Sequence, residues 1–557
     1  MSLKTNRALR LVSAGRLRYG SQYGLINCHK CNRVNTPSMQ QKGFATRVEH
    51  TEASKISDAS KERVVILGSG WGGYGISRCL NTKRFSPVVI SPRSYFVFTP
   101  LLTDAASGSL DFSNIVEPVR DPKAKVDFIQ ARARSIDLNK KTVLCEATVV
   151  QSGVTETPRT EGNEEPPAGI AEWERGEIFE IPYDKLVIAV GTVSRTFGTP
   201  GVRENAMFFK DIGDAKRVKR RVRELFELAV LPTTTEEMRE WLLHFSIVGA
   251  GPTGTELAAS LRDFIHNDLM KVYPNLKGIP KVSLYDVAPN VLSMFDKSLS
   301  QYAMDTMKSE GIDIKTSHHI KSLRWGAPGA PPPHLMDPKN CLTLETAEEG
   351  EVGVGMCVWA TGNSQNKFVN DSLTKVRHLP TDLAGGNASN SPQALEDSSW
   401  EFKKSKTGAL LVDDHLRVRL EDKAGQNAIL KDVYALGDNA VLEVGSPPAT
   451  AQATLQMAKW LGKRLNKDDL NNSAPFSFRD FGTMAYIGNE KALMQIPHDG
   501  KSGKPRSNFL PDGIKGRMAS WIWNGAYITM SISWRNKLRV AFRWTLNRLF
   551  GRDVSRF

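Results

Sequence analysis

The sequence predicts an α/β fold in which one strand, glycine loop and helix unit is built twice, with a basic, aromatic, amphipathic segment closing the chain. Three observations predict it. Val64-Val65-Ile66-Leu67 reads as a buried parallel strand running into Gly68-Ser69-Gly70-Trp71-Gly72-Gly73, a Gly-x-Gly-x-x-Gly spacing with a helix to follow. Phe245-Ser246-Ile247-Val248 runs into Gly249-Ala250-Gly251-Pro252-Thr253-Gly254 with the same spacing, and Glu256 sits just inside the second helix. The C-terminal stretch sets Trp521, Trp523, Tyr527, Trp534, Phe542, Trp544, Phe550 and Phe557 among Lys and Arg.

In each loop the first glycine permits a tight turn and the second lets the backbone approach a pyrophosphate. The third lets the helix pack close to the strand, and the helix N-terminus faces the phosphates. One such loop says little, because Gly-rich turns are common. Two of them predict a pair of Rossmann-like dinucleotide-binding domains, two cofactors and electron transfer between them.

At 557 residues the chain is too long for one small core, and 40% hydrophobic with 24% charged residues is ordinary for a globular protein. The net charge of +14 is concentrated at the two ends. Residues 1–48 carry nine Lys or Arg and no acid, and residues 514–557 carry nine against Asp553 alone, which leaves −3 for the rest. A basic nucleic-acid face over the folded part is therefore not expected. The Arg-rich, acid-free start has the composition of a mitochondrial transit peptide, with Lys42–Thr46 as a cleavage region; the competing reading is a disordered basic tail. Cys28 and Cys31 have no partner pair at zinc spacing and are read as incidental. No run of about twenty apolar residues occurs, so a spanning helix is not expected.

Along the chain, Pro87–Ser91 reads as the second strand. An acid often ends this strand and binds a ribose; here Ser91 stands there, followed by Pro92 and Arg93. Tyr95–Leu102, with Thr99, Pro100 and Leu101, is either core or a wall for a flat ring system. Residues 151–172 are a polar surface insertion, and 325–340 and 379–400 are loops. Tyr183–Thr192, ending in a turn at Gly191, is echoed by Met356–Asn363 with Ala360, Gly362 and Asn363; the pair reads as the crossings between two nucleotide domains. Residues 212–242 read as helical. Lys281–Asp286 ends in an acid that accepts from both ribose hydroxyls and repels a 2′-phosphate, unless it is a surface-turn Asp; this favours NADH over NADPH. Val433–Ala440 gives another buried strand with Gly437 and Asp438, the acid being placed for a cofactor hydroxyl or a helix N-cap. Gln452 and Gln456 share one face of the next helix. In Trp534–Phe550, Arg535, Arg539 and Arg543 form one stripe and Trp534, Leu538, Phe542 and Leu549 a neighbouring apolar one. That is the pattern of a helix lying on an anionic membrane, the alternative being a helix docked on the protein.

With FAD and NADH bound, hydride reaches the flavin and must leave it. A Cys-x4-Cys relay after the first loop is missing, since only Cys79 lies there; Cys145, Cys341 and Cys357 stand singly. A membrane-facing end then points to a lipophilic acceptor, a quinone. Hydrolase triads, His-Glu-x-x-His and EF-hand loops are absent from the sequence, and no metal site is expected.

Gly68–Gly72, Ile90–Leu102, Gly249–Glu256, Ala435–Asn439 and Ala451-Gln452 together resemble the type II (alternative, rotenone-insensitive) NADH:ubiquinone oxidoreductases of fungal mitochondria, in order over residues 61–557. The resemblance implies a disulfide-reductase-like flavoprotein with non-covalent FAD and a C-terminal membrane anchor. It implies a transit peptide at 1–48, FAD-binding parts at 61–210 and 365–465, an NADH-binding domain at 211–364 and a membrane-anchoring domain at 466–557. By resemblance Gly68–Gly73 hold the FAD pyrophosphate, Asp438 its ribityl-phosphate region, and Thr99-Pro100-Leu101 lie near the ring. Gly249, Gly251, Pro252, Thr253, Gly254 and Asp286 hold NADH, with Glu256 and Asn363 near the nicotinamide–flavin contact. Gln452 and Gln456 match the quinone-side pattern Ala-Gln-x-Ala-x-Gln, except that its second Ala is Thr454 here. Ser91 in place of the ribose acid also belongs to the family's fungal Ser-Pro-Arg-Ser pattern. The expected setting is peripheral on the mitochondrial inner membrane, matrix side favoured, as a homodimer, without proton pumping. The rivals are a sulfide:quinone oxidoreductase, which needs redox cysteines beside the flavin, and an apoptosis-inducing-factor-like flavoprotein, which needs a basic folded surface.

Overall fold

The computed structural model describes residues 60–149, 176–329, 341–376, 379–380, 382–386, 400–497, 513–530 and 533–554. The transit-peptide region, the Cys28/Cys31 pair and the 151–172 insertion lie outside the described residues.

Strand β1 (Glu62–Leu67) runs through the middle of the first sheet, and its four apolar residues are at most 1% exposed. Helix α1 (Trp71–Cys79) leaves it through the first glycine loop. Strand β2 (Phe85–Ser91) returns parallel, Val88 opposite Val65. The aromatic run that follows turns through a short 3-10 segment, Thr99–Leu101, into helix α2 (Leu102–Ala106). Strand β3 (Asp127–Asp137) adds on beside β2, and β4 (Lys185–Ile188) lies parallel on the other side of β1, Leu186 opposite Val65. Parallel strands buried on both faces explain why these segments read as unbroken apolar runs rather than alternations.

After the turn at Gly191 the chain enters helix α3 (Ile212–Ala229), opened by a capping box in which Asp211 and Asp214 each accept from the other's end of the turn. The stretch expected to be helical to 242 is two helices, because the chain breaks at 230–235, where Pro232 falls, and restarts at Glu236–Leu242 behind the Thr235 cap. The second sheet is β5 (His244–Val248), β6 (Lys281–Asp286), β7 (Ile312–Thr316) and β8 (Met356–Trp359), all parallel, with β5 central between β6 and β8 and the short strand Met207–Phe208 added parallel on the far side of β8. Helix α4 (Pro252–Phe264) follows the second glycine loop and runs on into a π-turn at Ile265–Leu269 and a 3-10 turn at Pro274–Leu276, the extension that delays β6.

The chain crosses back at Ala360–Gly362, and Asn363–Gln365 pairs antiparallel with Thr192–Ser194 of the outward crossing, Asn363 opposite Ser194. Strand β9 (Asn427–Ala435) rejoins the first sheet parallel to β4. Helix α5 (Ala451–Lys467), capped by Thr450, packs on α1. The fit is close at two glycines: a Cβ on Gly75 would lie 3.1 Å from Ala458 Cβ, and one on Gly462 would lie 2.8 Å from Cys79 Cβ. A three-stranded antiparallel sheet (Thr483–Gly488, Lys491–Gln495, Gly513–Gly516) then leads into helices α6 (Arg517–Met530) and α7 (Trp534–Phe550). No helix among the described residues is long and apolar enough to cross a membrane.

Candidate active site

Both glycine loops face one cavity of about 810 Å³ at the carboxyl ends of the parallel strands. The first loop is built by close approach. Gly68 has φ +102°, and a Cβ there would sit 2.3 Å from Ala189 O; a Cβ on Gly73 would sit 1.8 Å from Gly68 O. Gly70, by contrast, has nothing within 4 Å on that side, so its backbone opens onto the cavity. The second loop repeats this: a Cβ on Gly254 would lie 1.9 Å from Gly249 O, and Gly251 faces open space. Two cradles of the same make, each with an unobstructed second glycine, fit two pyrophosphates.

Around the first loop, Ser69 Oγ lies 3.0 Å from Ser91 Oγ, and Ser91 Oγ accepts from the Arg93 N–H. Arg93 in turn pairs with Asp211 at 2.9 Å. Ser91 thus stands where an acid was looked for and serves the loop's own hydrogen bonds. Trp71 Nε1 donates to Thr99 Oγ1 at 2.9 Å, which fixes the Thr99-Pro100 turn against the cavity, and Leu102 and Thr103 continue that wall. Around the second loop, Asp286 Oδ2 accepts from Ala250 N at 2.5 Å and Oδ1 from Ala288 N at 2.7 Å. The acid at the end of β6 therefore grips the loop backbone directly, and it lies off the cavity wall, whereas Pro252, Thr253 and Glu256 are on it.

The two crossings bring in residues that the sequence did not single out. Asn439 is fully buried; its Nδ2 donates to Ile188 O and its Oδ1 accepts from Gly191 N at 3.0 Å, locking the outward crossing. Lys210 Nζ donates to Asn363 Oδ1 at 2.6 Å and to Thr192 Oγ1 at 3.2 Å. Burial holds the Lys210 ammonium below its ordinary pKa, and Asp438 and Asp214 oppose that. Asp438 faces Thr192 at 3.5 Å, and burial raises its carboxyl while Lys210 opposes the rise. Asp438 is not a helix N-cap: Gly437 turns at φ +81°, strand Ala440–Leu442 follows, and the next helix is capped by Thr450.

Gln452 and Gln456 were expected to face the acceptor. Neither lies on the wall of this cavity. Each amide is engaged on both sides by the segment ahead of the C-terminal sheet: Gln452 with Phe481 N and Gly482 O, Gln456 with Arg479 N and Arg479 O. They act as two rungs of backbone-like pairing that hold residues 479–482 along α5. Thr454 reaches the wall instead. Its hydroxyl donates to Thr450 O at 2.9 Å, and its methyl packs where a Cβ on Gly437 would lie 3.0 Å away. The threonine is thus satisfied without a polar atom left over.

Glu256 is buried on the opposite wall, its Oε1 accepting from Tyr486 N at 3.2 Å. Burial, with the neighbouring Asp104, pushes its carboxyl up to about 8. Met484 and Tyr527 complete this wall, so the C-terminal sheet and α6 cap the cavity over Glu256. The aromatic repeat Trp521–Tyr527 was the available signal; Trp523 and Tyr527 are buried and only Trp521 of the three is exposed. No cysteine among the described residues lines the cavity. Cys145 and Cys357 are buried thiols pushed up to about 12, and the four cysteines among the described residues are free.

Residues 62–381 match the family model for pyridine nucleotide-disulphide oxidoreductases, and residues 481–553 match that of the NDH2 C-terminal domain. The chain is 32% identical over 502 residues to a probable NADH dehydrogenase of Dictyostelium discoideum, covering 89% of this chain and 91% of that one. It is 31% identical to the mitochondrial external alternative NADH-ubiquinone oxidoreductase of Yarrowia lipolytica, covering 90% and 81%. It is 30% identical to the mitochondrial external alternative NAD(P)H-ubiquinone oxidoreductase B1 of Solanum tuberosum, covering 90% and 91%. In fold it is similar to NDH2 from Plasmodium falciparum in complex with NADH, at TM-score 0.67 and 21% identity over 89% of this chain and all of that one. The sulfide:quinone oxidoreductase of Aquifex aeolicus is similar at TM-score 0.53 and 17% identity, over 88% and 96%.

Fold and site define a flavoprotein that takes electrons from a pyridine nucleotide. The chain belongs to the pyridine nucleotide-disulphide oxidoreductase family and, within it, to the NDH2-type alternative NAD(P)H-ubiquinone oxidoreductases.

Proposed function

We propose that this protein oxidises NADH with FAD and reduces ubiquinone by two electrons at the mitochondrial inner membrane, without pumping protons. One observation carries the reading: two glycine cradles and a buried carboxyl share a single cavity that has no cysteine on its wall among the described residues. The missing thiol disfavours sulfide as the donor and favours an acceptor from outside the chain. When bound, the flavin supplies hydride acceptance and two-electron transfer. The chain's own residues bind and orient. Gly68–Gly73 hold the FAD pyrophosphate and Thr99-Pro100-Leu101 its ring side. Asp438, through Lys210 and Thr192, holds the polar chain between ring and phosphates, with the Gly191 and Gly437 turns beside it. Gly249–Gly254 hold NADH against Ala360, Gly362 and Asn363. Asp286 keeps the second loop in shape and disfavours a 2′-phosphate. Gln452 and Gln456 position the quinone-side segment rather than touch the reacting atoms. The Ser91-Pro92-Arg93-Ser94 run supports a fungal-type, rotenone-insensitive member.

The liposome assay for this reading uses vesicles containing ubiquinone and a trapped pH dye. NADH consumption with quinol formation and no change of internal pH is expected; a rise or fall of internal pH coupled to turnover contradicts it.

For the membrane surface, Trp534, Leu538, Phe542 and Leu549 stand exposed along α7, with Trp521 and Phe550. The basic stripe divides: Arg535 lies 3.8 Å from Glu117 and Arg543 3.6 Å from Asp111, so these two dock the helix on the protein. An apolar face held outward by such docking suits insertion at headgroup depth. Leu538→Glu with Phe542→Glu is expected to lower binding to anionic vesicles by about a hundredfold or more, at about 1.5–3 kcal/mol per apolar side chain; unchanged flotation with vesicles contradicts it. We read the attachment as matrix-facing and the enzyme as a homodimer; the word external in the relatives' names favours the other face, and protease access in mitoplasts separates the two.

A further inference from the structure

The sheet that carries the second glycine loop is joined to the first sheet by two crossings, Thr192–Ser194 outward and Asn363–Gln365 back. They pair over three residues, Asn363 opposite Ser194, Ser364 opposite Val193 and Gln365 opposite Thr192. A two-stranded ribbon of that length has little stability of its own, and element ends of this kind are where hinges form. Its angle is therefore set by the side chains laid on it.

At the end nearer the first sheet, Asn439 holds Gly191, and Gln365 Nε2 donates to Asp438 O at 3.3 Å. At the other end, Trp359 Nε1 donates to Arg195 O at 2.9 Å. Lys210 lies across the middle. Thr192 stands two positions from Ser194, the residue opposite Asn363, so Thr192 and Asn363 are diagonal neighbours on one face, about 7–8 Å apart along the backbone. One ammonium spans that diagonal, with Lys210 Nζ 2.6 Å from Asn363 Oδ1 and 3.2 Å from Thr192 Oγ1. All three side chains stand on the wall of the main cavity. Bonds from a charged donor are shorter and stronger than neutral ones, which suits a cross-brace. The backbone end of the lysine is anchored as well. Lys210 N donates to Asp214 Oδ2 at 2.7 Å, and the adjacent Asp211 pairs with Arg93 at 2.9 Å. The Arg93 N–H donates to Ser91 Oγ, which lies 3.0 Å from Ser69 Oγ of the first glycine loop. A continuous run of polar contacts thus leads from the first glycine loop, through the start of α3, to both strands of the ribbon.

We propose that Lys210 is a positioning residue for hydride transfer. It pins the crossing ribbon so that a nucleotide on the second glycine loop meets a flavin on the first at reacting distance. It acts through Thr192 and Asn363. Reacting atoms must lie about 3–3.5 Å apart, and a misplacement of about 1 Å costs about 10²-fold in rate. A small turn of the ribbon, magnified over the breadth of a domain, is enough to produce one. The inference rests on the reading that NADH reduces bound FAD.

The test uses FAD-saturated holoenzyme with Lys210→Met, which keeps the stem and loses both bonds. Asn363→Ala loses one bond and keeps the charge, and Lys210→Arg is the conservative variant. Amide hydrogen exchange at 192–194 and 363–365 is expected to speed up in the Met and Ala variants. The limiting rate of flavin reduction by NADH, per bound flavin, is expected to fall about tenfold or more, with little change in the NADH concentration that gives half of it. The long-wavelength absorption of reduced flavin with stacked NAD⁺ weakens in parallel, and Lys210→Arg restores rate and band. The double variant is expected to cost no more than Lys210→Met alone, because both changes remove the same bond. Reoxidation of chemically reduced enzyme by a short-chain ubiquinone changes far less. Lys210→Met and Asn363→Ala enzymes with wild-type limiting rate, absorption band and exchange overturn the inference, even where flavin retention or melting temperature falls, and they leave the NADH reading intact. Wild-type enzyme that NADH fails to bleach overturns that reading and the inference with it.

Discussion

Gly73→Ala is expected to purify without flavin. The new Cβ would lie 1.8 Å from the Gly68 carbonyl oxygen and 2.8 Å from its carbonyl carbon, both backbone atoms that no rotamer change can move aside. Helix α1 would have to lift from β1, and the turn at Gly68, already at φ +102° and itself pressed on Ala189 O, would open. Overpacking of this sort costs about 1–3 kcal/mol or more in a core. Spent on a binding loop, about 3 kcal/mol is a hundredfold or greater loss of FAD affinity. Absorbance of bound flavin per protein is the measure, and binding of NADH at the untouched second loop checks that the chain is folded. Stoichiometric yellow protein from this variant would falsify the assignment of the first loop. Gly70→Ala makes the useful contrast, since nothing lies within 4 Å of its Cβ. It should leave the fold undisturbed and weaken FAD by filling the approach to the phosphates alone.

Glu256→Gln carries the second large effect. As the buried carboxyl on the cavity wall, its loss is expected to slow ubiquinone-dependent reoxidation by about 10²-fold or more, within the roughly 10²–10⁴-fold range for removal of general acid–base catalysis. The same variant alters stability against pH, with a definite sign. The folded carboxyl sits at about 8 against an ordinary 4.5, so the folded state holds this proton more tightly than the unfolded chain. The stabilisation is whole below the ordinary value and is lost as pH rises through about 8. Asp104, at about 6 against 3.8, adds in the same direction at lower pH. Wild-type protein should therefore melt at steadily lower temperature as pH rises from 5 towards 8.5, by up to a few kcal/mol in all. Glu256→Gln should flatten the upper part of that slope. A slope identical in both proteins would mean that Glu256 does not hold the proton assigned to it.

The parts of this molecule that were legible from sequence are those whose signal is local. Each glycine loop declares itself within ten residues, because strand, turn and helix packing all act at that range. The crossings at Gly191 and Gly362 were legible for the same reason, as an apolar strand meeting a turn. Asp438 was placed for a cofactor hydroxyl with a helix N-cap as the competing reading, since a strand-to-Gly-Asp signal does not say whether helix or strand follows. Lys210 and Asp104 were not legible at all, and Asn439, though inside the quoted Ala435–Asn439 run, was given no role there. Lys210 meets Asn363 across 153 residues and Asn439 meets Ile188 across 251, and each residue is unremarkable in its own stretch. The C-terminal aromatics show the other failure. Periodicity gave an amphipathic helix at 534–550, yet it did not tell that Arg535 and Arg543 point to protein acids or that Trp523 and Tyr527 close the cavity. Gln452 and Gln456 share a helix face, as their spacing requires, but only the folded chain shows that the backbone at 479–482 occupies it.

The central claim is electron passage from NADH through bound FAD to a quinone within one cavity. Anaerobic stopped-flow of the purified holoenzyme tests it most directly: flavin absorbance is followed on mixing with NADH, then with a short-chain ubiquinone. Fast bleaching by NADH and fast recovery on ubiquinone is the predicted result. Bleaching without recovery would place the acceptor elsewhere, and bleaching by sulfide but not by NADH would contradict the account altogether.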